Sequence, residues 1–244
     1  MMPQRERADR LLVARGFYES RARAQAAIAA GLVSADGVVV RKASDAVATT
    51  AAIEARSAHP YVSRGGVKLA AALDHFHLDV AGRVCLDVGA STGGFSEVLA
   101  ERGARRVYAV DVGTAQLHRR LAARAEIVSI EQTDIRTLDP ARLAELPDIA
   151  VVDVSFISLK LVLPAVDKLV AARATLVALI KPQFEAERGA IKKGIVRDPA
   201  VHAAVCEDIA AFLRTVGWRV TGVIPSPILG GEGNREFLIG AGRD

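Results

Sequence analysis

The chain contains little cysteine and no long apolar run, and these two absences argue against several classes of protein. Only Cys85 and Cys206 occur among 244 residues, and neither belongs to a spacing that binds zinc. We therefore expect no disulfide scaffold and no structural zinc site, and predict that both cysteines are reduced, buried packing residues. No apolar run approaches the roughly 18 residues that a membrane helix needs, and Met1–Arg10 is charged rather than a signal peptide. The sequence predicts a soluble, cytoplasmic protein.

The glycine-rich stretch Asp87–Phe95 lacks the spacings of the common phosphate-binding loops. It follows the apolar run Val84–Val88 and precedes a helix-like run. Ser91 stands where Gly-x-Gly-x-x-Gly requires its second glycine, and no Gly-Lys-Ser/Thr ending follows. A dinucleotide and a nucleoside triphosphate are therefore disfavoured as ligands.

The residues that are present favour a different nucleoside ligand. Gly89, Gly93 and Gly94 allow a tight turn and a close approach of the backbone to a ligand. Asp111 follows a second apolar run and comes about 20 residues after the glycines, the distance at which an acid can hydrogen-bond a ribose. An adenosine-containing cofactor without pyrophosphate fits this pattern, and S-adenosylmethionine is the common one. A plain tight turn in an α/β sheet is the alternative.

Charge is distributed unevenly along the chain. Residues 1–68 contain 11 Lys and Arg against 6 Asp and Glu, a net charge of +5, whereas the remainder carries −1 of the total of +4. Small basic domains attached to larger catalytic ones often bind nucleic acid through its phosphates. A solvated basic face without a partner would have the same charge.

Residues 1–58 are predicted to form a small α+β domain, followed by a linker over residues 59–66 that contains Pro60. The predicted elements are a helix over Arg5–Arg15, a helix capped by Ser20 that runs to Ala30, a hairpin around Asp36-Gly37 and a strand over Ile53–Ala55.

Residues 67–244 alternate between apolar strands and helical stretches. The strands are predicted at about 84–88, 107–110, 127–130, 149–153, 175–180, 218–224 and 236–240. The helix that follows Asp198 is well marked, because Asp198 can cap it, Pro199 suits its first turn and Gly217 ends it. This alternation predicts an α/β fold with a Rossmann-like, doubly wound and mostly parallel sheet.

Four charged residues lie at the ends of predicted elements and are the candidates for chemistry. They are Lys68, Asp153, Lys181 and Glu236. Asp153 and Lys181 follow apolar strands, and ligands of open α/β sheets bind outside the carboxyl ends of the strands. For Lys68 and Glu236 alone, a surface ion pair is the simpler interpretation.

Two lysines with two carboxylates suit the transfer of a methyl group to a weakly acidic hydroxyl. A neutral lysine amine can accept the hydroxyl proton, and a second ammonium nearby favours that neutral form. The carboxylates would hold the amines, and alignment of the reacting atoms would supply the rest of the rate. This chemistry requires no metal.

Five motifs, in order, resemble the TlyA family of ribosomal RNA ribose 2′-O-methyltransferases, which have also been labelled haemolysins. The motifs span residues 63–68, 87–95, 153–158, 181–185 and 233–237, and cover nearly the whole chain. The resemblance implies an S-four-type RNA-binding domain over residues 1–58 and an FtsJ-like, S-adenosylmethionine-dependent methyltransferase domain over residues 67–244. It implies that the substrate is a cytidine of ribosomal RNA, and leaves a monomer and a homodimer open.

The resemblance also assigns roles to residues. It makes Lys68, Asp153, Lys181 and Glu236 the catalytic set. The expected cofactor-binding residues are Asp87, Gly89, Ala90, Ser91, Thr92, Gly93, Gly94, Phe95, Asp111 and Asp134. The expected RNA-binding residues are Arg5, Arg7, Arg21, Arg23, Lys42, Arg64 and Phe156, and no metal ligand is expected.

Two other classes of function remain open from the sequence. One is a non-catalytic RNA-binding or ribosome-assembly protein, against which the four intact candidate residues argue. The other is a haemolysin-type membrane-active protein, for which the sequence offers no strongly amphipathic basic segment.

Overall fold

The computed structural model describes residues 4–18, 20–55, 59–230 and 233–243. The chain divides into two compact units, Met1–Pro60 and Tyr61–Asp244. Each unit has its own apolar core. In the described part of the chain, no helix combines the length and the hydrophobicity needed to cross a membrane.

The described residues of the first unit form two α-helices and five short strands. In chain order these are β1 (Arg5–Arg7), α1 (Ala8–Ala14), α2 (Arg21–Ala29), β2 (Val33–Ala35), β3 (Val38–Val39), β4 (Ala46–Ala48) and β5 (Ile53–Ala55). Strands β3, β2 and β5 form one antiparallel sheet, and β1 pairs with β4 in another. The apolar faces of α1 and α2 pack in the core through Leu11, Leu12 and Ile28.

Local signals explain most of this unit. The Ser20 side chain accepts a hydrogen bond from the Arg23 N–H (3.3 Å) and so caps α2 as predicted. Asp36 and Gly37 both have positive φ angles (50° and 77°), which is the backbone of the tight hairpin turn that was predicted. The helix predicted over Arg5–Arg15 is wrong at its start, because Arg5–Arg7 pairs with β4, a strand the sequence did not indicate.

The second unit is a seven-stranded sheet between helices. Its helices are α3 (Gly65–His75), α4 (Gly94–Glu101), α5 (Arg119–Ala122), α6 (Leu159–Leu169), α7 (Pro182–Glu185) and α8 (Pro199–Thr215). Its strands are β6 (Val84–Val88), β7 (Arg106–Val110), β8 (Ile127–Ile130), β9 (Ile149–Val152), β10 (Ala174–Ile180), β11 (Arg219–Pro225) and β12 (Phe237–Arg243).

The strand order is β11-β12-β10-β9-β6-β7-β8; β12 is antiparallel to both β11 and β10, and the other described pairings are parallel. The predicted Rossmann-like, mostly parallel sheet is confirmed. Strands β6 and β9 are buried along their whole length and lie side by side, so the loops that follow them meet at one edge of the sheet. Cys85 is buried in β6, as predicted. Cys206 on α8 is only partly buried, so the prediction of a buried residue is wrong for Cys206.

Candidate active site

The glycine loop after β6 is shaped by close backbone contacts. Gly89 has a φ of +82°, and a Cβ there would lie 2.4 Å from the carbonyl oxygen of Asp153, so no other residue fits without moving the backbone. The Asp111 carboxylate accepts hydrogen bonds from the Ser91 N–H (2.8 Å) and the Gly113 N–H (2.7 Å). Asp111 therefore ties the glycine loop to the end of β7.

A cavity of about 480 Å³, here called the Asp111 cavity, opens at the ends of β6, β7 and β9. Its polar wall includes Asp111 and Asp134, and its apolar wall includes Val112, Ile135 and Val162. Asp134 lies 2.6 Å from the Arg136 guanidinium, and that hydrogen-bonded partner lowers the pKa of the Asp134 carboxyl. The cavity combines apolar walls with a few polar groups, as small-molecule sites do.

Two further cavities adjoin the first. The glycine-loop cavity (about 220 Å³) shares Gly89, Ser91 and Asp153 with the Asp111 cavity. The lysine cavity (about 440 Å³) shares Ser155 and Phe156 with the Asp111 cavity. Lys68 lines both the glycine-loop cavity and the lysine cavity. The three cavities therefore form one continuous depression at the carboxyl ends of the central strands.

Two lysine–carboxylate pairs lie at this junction. Nζ of Lys181 lies 2.6 Å from Oδ1 of Asp153 and donates a hydrogen bond to the Ser155 hydroxyl (2.8 Å). Nζ of Lys68, on α3, lies 2.5 Å from Oε2 of Glu236, just before β12. Lys68, Lys181 and Glu236 are all buried and line the lysine cavity. The structure thus brings the four candidate residues together as two pairs.

Gly230 makes room for one of these pairs. A Cβ at Gly230 would lie 1.9 Å from Oε1 of Glu236, so the carboxylate occupies the space that any larger residue would fill. Asn234, in the loop before Glu236, is buried. It accepts a hydrogen bond from the Val196 N–H (3.2 Å) and donates one to the Gly194 carbonyl (3.0 Å).

Phe156 is the most exposed aromatic side chain of the described residues. It is 90 % exposed, has a φ of +66°, and its ring centroid lies 5.1 Å from that of Phe184. A positive φ is strained for a bulky residue and persists only where the surroundings enforce it, most often at functional sites. Phe156 therefore presents a bare ring face at the junction of the Asp111 and lysine cavities.

The remaining predicted cofactor residues differ in position. Ala90, Thr92, Gly94 and Phe95 line the glycine-loop cavity, whereas neither Asp87 nor Gly93 is among the lining residues of the three cavities. Asp87 is fully buried, and its Oδ2 accepts a hydrogen bond from the Ser96 hydroxyl (2.6 Å). Burial, with smaller effects from Asp153 and Asp111, raises the pKa of Asp87 to about 7.

This raised pKa predicts a pH-dependent gain in stability for Asp87→Asn. The folded chain holds the Asp87 proton more tightly than the unfolded chain does, so its contribution to stability is complete below about pH 4 and is lost as the pH rises through about 7. Asparagine removes this loss. The unfolding free energy of the variant minus that of the wild type should therefore increase by about 3 kcal/mol from pH 5 to pH 8.

Chemical denaturation of both proteins at the two pH values measures the effect. Asp139→Asn, at an exposed acid, is the control and should show no such gain. A difference between Asp87→Asn and wild type that is the same at both pH values would contradict the prediction.

In the first unit, one buried carboxylate organises two predicted RNA-binding arginines. Asp9 is fully buried and accepts hydrogen bonds from Arg7 (3.1 Å), Arg21 (2.8 Å) and Gln25 (2.9 Å). The hydrogen bond from Arg7 is the main cause that holds the pKa of Asp9 well below its usual range, and the bonds from Arg21 and Gln25 add to the effect. The arginine side chains remain 43 % and 51 % exposed, so their outer faces are open to solvent.

The other predicted RNA-binding cations have simpler surroundings. Arg5 is exposed and donates to the Ala46 carbonyl (2.7 Å), while the Lys42 side chain is exposed. Arg23 is half-buried on α2, and Arg64 is exposed at the rim of the glycine-loop cavity.

The sequence reasoning missed a basic segment beside the lysine cavity. Arg188, Lys192, Lys193 and Arg197 are all exposed. Ile191 and Gly194 of the same segment line the lysine cavity, and Asn234 holds it to the loop that carries Glu236. The signal was a local run of Lys and Arg after the Lys181 motif, and it was lost when charge was summed over the whole second unit.

The fold is the one shared by S-adenosylmethionine-dependent methyltransferases. The model of the FtsJ-like methyltransferase family matches residues 61–243, and the S4 domain model matches residues 6–53. The chain belongs to the FtsJ-like methyltransferase family and carries an S4 domain before the catalytic one.

Individual proteins agree with this assignment. The chain is 43% identical to the "16S/23S rRNA (cytidine-2'-O)-methyltransferase TlyA" of Mycobacterium tuberculosis, over 98% of this chain and 90% of the relative. A solved structure described as a "Putative hemolysin from Streptococcus thermophilus" is 42% identical, with a TM-score of 0.79 over 100% of this chain and 90% of that one. The N-methyltransferase NodS of Bradyrhizobium japonicum, in complex with S-adenosyl-L-homocysteine, shares the fold alone, at 18% identity and a TM-score of 0.52 over 74% and 86% of the two chains.

Proposed function

We propose that this protein transfers a methyl group from S-adenosylmethionine to the ribose 2′-hydroxyl of a cytidine in ribosomal RNA. The observation that carries the proposal is the two lysine–carboxylate contacts, Lys181 with Asp153 and Lys68 with Glu236, whose amines line the lysine cavity beside the Asp111 cavity. The TlyA relative is named for activity on a cytidine of ribosomal RNA, which supports this substrate. The cytoplasm is then the compartment in which the protein meets ribosomal subunits.

The Asp111 cavity has the shape and chemistry that S-adenosylmethionine needs. Gly89 leaves its floor free of a side chain, Asp111 offers a carboxylate to a ribose, and Val112 and Ile135 offer apolar surface to an adenine ring. The glycine-loop cavity extends this space towards the backbone N–H groups at the start of α4, which favour a carboxylate. When bound, S-adenosylmethionine supplies an electrophilic methyl group on a positively charged sulfur.

The residues of the lysine cavity would handle the proton of the attacking hydroxyl. In its neutral form, Nζ of Lys181 accepts that proton, while Asp153 and Ser155 fix the position of the nitrogen. Lys68, held by Glu236, places a second amine in the same cavity. The proposed catalytic set thus pairs each of its two amines with a carboxylate that holds it in place.

RNA would be held on both sides of this cavity. The exposed face of Phe156 suits stacking with an unstacked base, because base–aromatic stacking contributes about 1 to 3 kcal/mol. The basic segment with Arg188, Lys192, Lys193 and Arg197 would contact phosphates beside the target nucleotide. The S4 domain would supply further phosphate contacts through Arg5, Arg7, Arg21, Arg23 and Lys42. With contacts spread over both domains, the folded shape of the ribosomal RNA would determine recognition.

Incubation of the purified protein with ribosomal subunits and methyl-labelled S-adenosylmethionine tests the proposal. We expect label on one or a few cytidines, located by mapping 2′-O-methylation along the RNA. A short unstructured oligonucleotide carrying the same cytidine should be a poor substrate. Absence of label from RNA, together with binding of the subunits, would favour a non-catalytic RNA-binding protein.

Asp111→Ala should weaken S-adenosylmethionine binding about tenfold or more, or about 1.4 kcal/mol, which is the contribution of a hydrogen bond to a charged acceptor. The loss of the Ser91 contact adds to the effect, because the glycine loop is then released. Calorimetric titration with S-adenosylmethionine measures it. Glu101→Ala, at an exposed acid on α4, is the control, and an unchanged Kd for Asp111→Ala would place the ribose elsewhere.

A further inference from the structure

Two loops carry the reactive groups of the lysine cavity, and they are in contact along their length. The 153–158 loop joins β9 to α6. The 181–185 segment follows β10 and consists of Lys181 and the short helix α7. Lys181 contacts Asp153 and Ser155 at one end of this contact, and Phe184 packs against Phe156 in the middle. The far end of the contact involves Glu185, which no step of the proposed chemistry uses.

Glu185 closes the contact by binding the start of α6. Its Oε2 accepts a hydrogen bond from the Ser158 hydroxyl (2.6 Å), and its Oε1 accepts one from the Leu159 N–H (2.8 Å). Ser158 is itself the N-cap of α6, because its hydroxyl accepts from the Lys160 N–H (3.2 Å). A carboxylate from a separate element thus completes the cap of this helix, at the end where a negative charge is favourable.

The location of Glu185 costs free energy that an exposed acid would avoid. Burial is the main cause that raises the pKa of its carboxyl, and the bonds to Leu159 and Ser158 and the charge of Lys160 act in the opposite direction. Nearby Asp208, which pairs with Lys160, adds to the unfavourable side. The Glu185 carboxylate thus accepts hydrogen bonds from the Ser158 hydroxyl and the Leu159 N–H despite the cost of its burial. These two bonds fix the start of α6.

The strained backbone of the 153–158 loop shows why such fixing matters. Phe156 holds a φ of +66° with its side chain 90 % exposed, so its own packing cannot enforce that conformation. The loop is anchored at its first residue by the Asp153 N–H, which donates to the Val88 carbonyl (2.9 Å), and at its last by Glu185. Release of the second anchor would let Asp153, Ser155 and Phe156 move relative to Lys181.

We infer that Glu185 is a positioning residue for methyl transfer, which holds the 153–158 loop so that Asp153 and Ser155 keep the Lys181 amine in place. This inference rests on the proposed function. It assigns the last residues of two of the sequence motifs, Ser158 and Glu185, to a bond between the loops that carry the catalytic pair. Glu185 is not among the lining residues of the Asp111 cavity, the glycine-loop cavity or the lysine cavity.

The test compares single-turnover methylation of ribosomal subunits by the wild type, Glu185→Ala and Glu185→Gln. We expect Glu185→Ala to lower the rate about 30-fold, because a displacement of about 1 Å at reacting groups can cost up to about 100-fold. The Kd values for S-adenosylmethionine and for the subunits should stay within about threefold. Glu185→Gln should recover most of the rate, because its carbonyl oxygen still accepts from Leu159.

The controls separate positioning from a general loss of structure. Glu187→Ala removes an exposed acid two residues away and should keep the wild-type rate. Ser158→Ala should also slow the reaction, and the double variant should be little slower than Glu185→Ala, since both residues hold the same start of α6. If Glu185→Ala does not fold, the rates of Glu185→Gln and Ser158→Ala decide the matter, and a wild-type rate for Ser158→Ala then overturns the inference.

Three other results overturn it as well. These are a wild-type rate for Glu185→Ala, a loss of rate fully explained by weaker binding, and a glutamine variant no faster than the alanine variant. A wild-type protein that methylates no RNA would instead overturn the proposed function, and the inference with it. An active wild type beside an equally active Glu185→Ala overturns the inference alone.

Discussion

Lys181→Ala should lower the rate of methyl transfer by about 1,000-fold or more, while S-adenosylmethionine affinity stays within about twofold. The Lys181 amine is buried, lies 2.6 Å from the Asp153 carboxylate and lines the lysine cavity. It is not among the lining residues of the Asp111 cavity. The variant therefore removes the proposed proton acceptor and leaves the proposed cofactor contacts in place. Single-turnover assays with ribosomal subunits and calorimetric titration with S-adenosylmethionine measure the two quantities.

Lys181→Arg distinguishes a proton acceptor from a simple positive charge. Arginine keeps the charge beside Asp153 but does not become neutral in a protein, so it cannot accept the hydroxyl proton. We expect this variant to be nearly as slow as Lys181→Ala. Substantial activity of Lys181→Arg would show that the residue acts through its charge, and near-wild-type activity of Lys181→Ala would remove it from the mechanism. Lys168→Ala, at an exposed lysine on α6, is the control.

The sequence predicts the position of Asp153 and Lys181 because parallel strands end at one edge of a sheet. Both residues directly follow long apolar runs, and such runs become central strands whose carboxyl ends face the ligand crevice. Lys68 and Glu236 are harder to pair from the sequence. They are 168 residues apart, and their contact depends on how α3 packs near the start of β12, which no local pattern specifies.

Errors arise where distant contacts decide the local structure. Arg5–Arg7 continues the helical pattern of α1, but the three-residue strand β4 pairs with it and removes it from the helix. The carboxylate that completes the start of α6, Glu185, comes from another element, so no local pattern indicates this contact. The basic segment beside the lysine cavity was overlooked because neighbouring acids cancel its charge in a domain-wide sum.

Some predicted RNA-binding cations of the S4 domain pair with a buried carboxylate and others do not. Only the second kind can be removed without also destabilising the domain. Arg7 and Arg21 neutralise the buried Asp9, so removing both would leave a buried carboxylate without a cationic partner and destabilise the domain by about 3 to 5 kcal/mol. The Arg5 guanidinium donates to the Ala46 backbone carbonyl, and Lys42 is exposed to solvent. These two residues are therefore the cleaner probes of phosphate contact.

Arg5→Ala combined with Lys42→Ala should weaken binding to ribosomal subunits about 100-fold at low salt, since each charged hydrogen bond contributes about 1.5 to 3 kcal/mol. Each lost phosphate contact removes about 0.7 to 0.9 from the slope of log K against log salt, so the slope should flatten by about 1.5. S-adenosylmethionine affinity should not change, because both residues belong to the first unit. Lys168→Ala with Arg214→Ala removes the same charge from the second unit and should leave the slope unchanged. Equal slopes for the wild type and the Arg5/Lys42 variant would show that these side chains do not contact RNA phosphates, and would leave Arg7, Arg21 and Arg23 as the remaining predicted contacts of the S4 domain.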